Sequence, residues 1–80
     1  MASCANKQYV CKIAELYELK LERSHREQSL IIRKKDNEIL FMCKQAGPPE
    51  VVWENIWRDA RIAIEIYTGI NYFYGYWRDL

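Results

Sequence analysis

The run Gly47-Pro48-Pro49 constrains this chain more than any other feature. Two consecutive prolines remove two amide donors and fix two φ angles, so neither a helix interior nor a central strand can pass through them. Proline is tolerated in the first turn of a helix, however. One element must therefore stop before Gly47, and a helix can begin directly after it. With 80 residues in all, the chain has room for one core, and residues 1–80 read as a single small domain. A domain of this size buries only about 60–65% of the surface its unfolded chain exposes.

The segment after the prolines reads as a helix over residues 49–68. Trp53, Ile56, Trp57, Ala60, Ile64 and Tyr67 recur at three- and four-residue steps and form one apolar stripe. Glu50, Glu54, Arg58, Asp59, Arg61 and Glu65 fall outside it. Arg61 stands one turn before Glu65, at pairing distance. Thr68-Gly69 supplies a left-handed stop. Trp53 and Trp57 belong to the stripe and are expected in the core.

Before the prolines the pattern is less uniform. Val10, Ile13, Ala14, Tyr17 and Leu21, widened by Leu16, form a helical stripe, and helix formers dominate from Lys7 to Glu22. A competing alternation of Tyr17, Leu19 and Leu21 with Glu18, Lys20 and Glu22 is strand-like; the helix is the favoured reading. Next, Leu30-Ile31-Ile32 and Ile39-Leu40-Phe41-Met42-Cys43 flank the polar block 33–38. As a hairpin, Asp36-Asn37 makes the turn, Lys35 faces Glu38, and Leu30 and Ile32 share a face with Ile39, Phe41 and Cys43. As a helix, the same residues continue the stripe from Val10. The tail, residues 70–80, is dense in aromatic residues, which favour strands. The predicted fold is α+β: a helix, a β-hairpin, a second helix, then an aromatic strand or extended tail. The alternative is an all-α helical hairpin.

Composition narrows the function. Half the residues are apolar and the formal net charge is +1, which excludes a disordered chain and disfavours one that works by broad attraction to nucleic acid or anionic membrane. No apolar run reaches the roughly 18–20 residues of a membrane span; the most apolar stretch, Ile62 to Trp77, is too short and carries Glu65. The N-terminus lacks the apolar stretch of a secretory signal, and Cys4, Cys11 and Cys43 do not make a disulfide framework. A reducing cytoplasm is the expected location.

Catalytic chemistry finds little support. His25 is the only histidine, and the polar run Ser24–Gln28 around it reads as an exposed turn, without a third group to orient a base against a nucleophile. The three cysteines lack the paired spacing of a structural zinc site. Glu18-Leu19-Lys20 has the E-x-K form of metal-dependent nuclease cores, but no Asp precedes Asp36 to complete it. No glycine-rich phosphate loop exists. The expectation is a protein without enzymatic activity, cofactor or metal.

Two features point to binding. Tyr72, Phe73, Tyr74, Tyr76 and Trp77 are more rings than a body this small can hide, and tyrosine and tryptophan are enriched at interface hot spots. These residues are the predicted partner-binding set, with the adjacent helix face. The second feature is Arg33-Lys34-Lys35, the candidate surface if the partner is nucleic acid. The favoured function is an inhibitor or adaptor that occludes a surface of a larger protein, of the kind a virus or mobile element encodes. The alternatives are a small nucleic-acid-binding regulator using Arg33, Lys34 and Lys35, and a homo-oligomeric structural subunit such as a homodimer.

Overall fold

A computed structural model describes residues 3–69; it has five elements in the order helix, three strands, helix. They are α1 (Ser3–Leu16), β1 (Lys20–Ser24), β2 (Ser29–Arg33), β3 (Ile39–Lys44) and α2 (Pro49–Thr68). The strands form one antiparallel sheet in the order β1-β2-β3. The fold is α+β, and the all-α alternative does not form. The aromatic tail, with the strand expected there, lies outside the described residues.

The first helix is shorter than its composition predicts. It stops at Leu16, and the residues read as its last turn become β1. The stop is a Schellman arrangement. Leu19 N–H donates to the carbonyl of Ala14 at 2.8 Å, Glu18 N–H donates to that of Glu15 at 3.4 Å, and Glu18 sits at φ 58°. Leu19 and Ala14 are both buried, which supplies the apolar contact that accompanies this motif. A glutamate in the left-handed region carries a backbone cost that glycine would avoid. Burial of Leu19 and pairing of Leu21 with Ile32 offset it. The strand-like alternation of Leu19 and Leu21 thus prevails over local helix propensity.

The hairpin forms at the expected turn with a different register. Asn37 takes the left-handed conformation at φ 75°, and Glu38 N–H donates to Asp36 Oδ1 at 3.0 Å. Backbone bonds run from Lys34 N–H to the Glu38 carbonyl and from Asn37 N–H to the Lys34 carbonyl, both at 2.8 Å. Lys34, not Lys35, therefore faces Glu38. Leu30 pairs with Cys43 and Ile32 with Phe41, after which the register slips so that Arg33 pairs with Ile39. Leu40 is the extra residue of a β-bulge. The bulge half-buries Leu40 beside Phe41 and leaves Ile39 exposed, so Ile39 does not join the apolar face.

Leu30 and Ile32 point from the central strand into the core. Val10, Ile13 and Ala14 of α1 meet them there, with Val52, Ile56, Trp57, Ala60 and Ile64 of α2. Both helices contribute to the one cluster, so both cover the same face of the sheet, and no described element covers the opposite face. The helices run in the same direction, with Asn6 beside Arg61 and Tyr17 beside Tyr67. Pro49 opens α2 and Gly69 ends it at φ 75°, its N–H donating to the Glu65 carbonyl at 2.8 Å.

Candidate binding surfaces

The inward face of α2 is not wholly apolar. Arg61 and Glu65 are 9% and 4% exposed, and Arg61 Nε donates to Glu65 Oε2 at 3.2 Å. Arg61 Nη1 also donates to Asn6 Oδ1 on α1 at 3.0 Å, and its guanidinium lies 4.6 Å from the centre of the Tyr9 ring. Arg61 and Glu65, which lie off the apolar stripe of the sequence, are thus buried all the same. A buried guanidinium requires hydrogen bonds from several directions, and here one helix supplies the carboxylate while the other supplies the amide and the ring.

The outward face shows the reverse. Ile62 and Ile66, one turn apart, are 46% and 75% exposed. Tyr67 follows at the helix end, half-exposed and edge-on to Tyr17 at 6.4 Å between ring centres. Leu16, expected to widen the α1 stripe, is 67% exposed because the helix stops there and the chain turns away. Ile62 and Ile66 thus form an exposed apolar ridge along the outer side of α2, while Leu16 and Tyr17 lie exposed where α1 ends, Tyr17 meeting Tyr67. Residue 70, the first of the aromatic tail, comes directly after Gly69 at this end. Tyr72, Phe73, Tyr74, Tyr76 and Trp77 themselves lie outside the described residues. Sequence reading missed the ridge. Its signal was the i, i+4 pair Ile62 and Ile66 lying off the core stripe.

The structure places Arg33, Lys34 and Lys35 near carboxylates. Arg33 pairs with Glu22 at 3.1 Å, Lys34 with Glu38 at 3.1 Å, and Lys35 with Glu18 at 3.2 Å. Lys34 also lies 5.4 Å from the centre of the Tyr67 ring. Its hydrogen bond to Glu38 holds the ammonium above its ordinary pKa, helped by the charge of Glu38 and opposed by slight desolvation. Lys20 donates to Asn37 Oδ1 at 2.7 Å and completes a meshed surface around the turn.

His25 is exposed, and its ring is not isolated. It sits 5.3 Å from Trp53, which lies 6.1 Å from Trp57, and the guanidinium of Arg23 covers Trp57 at 5.8 Å. Trp57 is buried, whereas Trp53 is only half-buried against the core. Beside this stack, Arg26, Gln28, Lys44, Gln45 and Gly47 line an open cleft, which Gln28 Nε2 braces by donating to the carbonyls of Gln45 and Gly47. Glu27 lies in the same wall and dilutes its positive charge. Among the described residues no group of three His, Cys, Asp or Glu side chains could hold a metal, and no helix is long and apolar enough to cross a membrane. The chain matches no protein-family model, and neither the curated proteins nor the solved structures give a significant match.

Proposed function

We propose that this chain is a non-enzymatic protein-binding module, acting as an inhibitor or adaptor, that docks on a larger protein through the α2 ridge and the aromatic tail together. The observation that carries this reading is the exposure of Ile62 and Ile66 beside Tyr67, at the end of α2 from which the tail starts. Clustered exposed apolar side chains mark interaction surfaces, because each loses contact with water only when something covers it. In this reading Tyr72, Phe73, Tyr74, Tyr76 and Trp77, which follow α2 in the sequence, add the residue types that dominate interface energetics. Free Cys11 and Cys43 suit a reducing cytoplasm as the place of action. The nucleic-acid alternative has less support, since Arg33, Lys34 and Lys35 each already face a carboxylate.

The test is capture of partners from a native lysate treated with nuclease, using tagged wild type and three variants. The pair Ile62→Lys and Ile66→Lys should abolish capture, as should Tyr76→Ala with Trp77→Ala, while circular dichroism stays unchanged. Lys34→Glu with Lys35→Glu should leave capture intact. Retention of the same partner by a folded ridge variant would sink the reading. Loss of every partner after nuclease, together with loss in the Lys34/Lys35 variant, would favour the nucleic-acid alternative.

A further inference from the structure

The two faces of the sheet are not equivalent. Leu30 and Ile32 point from β2 into the core, so Ser29, Ile31 and Arg33 point to the opposite face, which no described element covers. Strand pairing extends that face. Lys20, Glu22 and Ser24 of β1 lie across from Arg33, Ile31 and Ser29, and Ile39, Met42 and Lys44 of β3 flank the same three residues on the other side. An antiparallel sheet with one face in water normally carries polar side chains there. The strand β1 obeys that rule, whereas β2 and β3 do not. Ile31 and Met42 are cross-strand partners, Ile39 stands on the same side beyond the bulge, and Met42 and Ile39 are 63% and 46% exposed. Charge is uneven as well. Lys20, Arg33 and Lys44 stand against Glu22 alone, so these nine residues carry +2 where the whole chain carries +1. Glu22 is taken by Arg33 at 3.1 Å. Among the described residues neither Lys20 nor Lys44 makes an ion pair, and Lys20 donates to the neutral Oδ1 of Asn37 at 2.7 Å.

We propose that this open sheet face docks an acidic amphipathic helix of a partner protein. Ile31, Ile39 and Met42 lie under the apolar stripe of that helix, and Lys20 and Lys44 meet its carboxylates. Three features select this occupant. The face is about 10 Å across from β1 to β3, the width of one helix with its side chains. The central strand bonds to β1 on one side and β3 on the other, so the face offers side chains and not a free backbone edge. Lys20 opens β1 and Lys44 closes β3, which sets them at diagonal corners with the apolar residues between them. Acidic residues on both flanks of an apolar stripe complement that arrangement. Nucleic acid fits less well, because the face has no ring on which a base could stack and two unpaired cations neutralise few phosphates. The ridge lies on α2, on the other side of the sheet, so this inference stands or falls separately from the docking reading.

The probe is a labelled amphipathic helical peptide of leucine and glutamate, about 20 residues long, read by fluorescence anisotropy against the full chain. A leucine–lysine peptide of the same pattern and a single-stranded oligothymidylate are the controls. Wild type should bind the acidic peptide about tenfold more tightly than the basic one, or better, and more weakly as salt rises. Met42→Glu should weaken that binding about tenfold or more, with circular dichroism unchanged. Lys20→Glu with Lys44→Glu should invert the preference so that the basic peptide binds more tightly, a change that loss of structure would not produce. Ile62→Lys with Ile66→Lys should leave the acidic peptide bound. Absence of a preference for the acidic peptide overturns the proposal, as does a preference that survives the reversal at Lys20 and Lys44. Binding lost in the ridge variant but kept by Met42→Glu puts the peptide on the ridge, which overturns this inference and leaves the docking reading standing. Oligothymidylate bound more tightly than the peptide, and released by the Lys20/Lys44 variant, gives the face to nucleic acid instead.

Discussion

Helix α2 has two faces separated by a single residue step, and each carries what the other would be expected to hold. Arg61 and Glu65 point inward and are buried, while Ile62 and Ile66 point outward into water. Burying a charge pair is seldom a net gain in stability, because desolvation offsets most of the attraction. Its effect is positional. Arg61 reaches its partners on α1 only at one relative placement of the helices, so the pair favours a single register between them. The exposed isoleucines contribute little to the fold. The inner polarity therefore serves the architecture, and the outer apolarity is the feature on which the proposed docking rests.

The most severe way to break this comparison is to remove one member of the buried pair. Arg61→Ala leaves the buried Glu65 carboxylate without its guanidinium partner and should cost about 3–5 kcal/mol in a urea titration. That is a large part of the total stability of a domain this small. Replacing both together, Arg61→Met with Glu65→Leu, should recover most of the loss because no lone charge remains. If single truncations cost less than about 1 kcal/mol, as exposed pairs do, the inner face is wet and the two faces do not differ.

A second pair of variants sharpens the contrast with one residue type. Ile64 is fully buried and Ile66 is not, two positions apart on the same helix. Ile64→Ala should destabilise by about 2–5 kcal/mol through lost burial and the cavity left behind. Ile66→Ala should change stability by no more than about 0.5 kcal/mol, the usual range for a surface site. Equal losses at both positions would mean that Ile66 is already covered within the chain, and the ridge would then be no free docking surface.

How far these faces are legible in the sequence depends on where the deciding partners lie. The start and stop of α2 are local, fixed by Pro49 and Gly69, and the spacing of Ile56, Ala60 and Ile64 marks its core side. The turn at Asp36-Asn37 is likewise a local preference. The end of α1 is not, because a glutamate occupies a left-handed position that the sequence advertises only with glycine or asparagine. Only the burial of Leu19 and the pairing of β1 with β2 make that end intelligible. Arg61 reads as a surface residue for the same reason: Asn6 lies 55 positions away, and no window along the chain contains both. Of the proposed binding surface, the aromatic residues are plain in composition, whereas the ridge emerges only once the core has claimed the other side of the helix.

Tyr67 stands on the border between the two faces, and it gives the mildest test. Lys34 lies over its ring and pairs with Glu38, and this pairing raises the Lys34 pKa above its ordinary value of 10.5. A raised pKa means the folded state holds that proton more tightly than the unfolded chain does. The stabilisation is therefore complete below the unfolded value and disappears as pH rises through the folded one. Urea midpoints should fall in that alkaline window, and Lys34→Met should make the fall shallower when both proteins are compared at each pH. Identical alkaline slopes would show that the Lys34–Glu38 pair does not persist in solution, and the border at Tyr67 would then rest on its ring contact with Tyr17 alone.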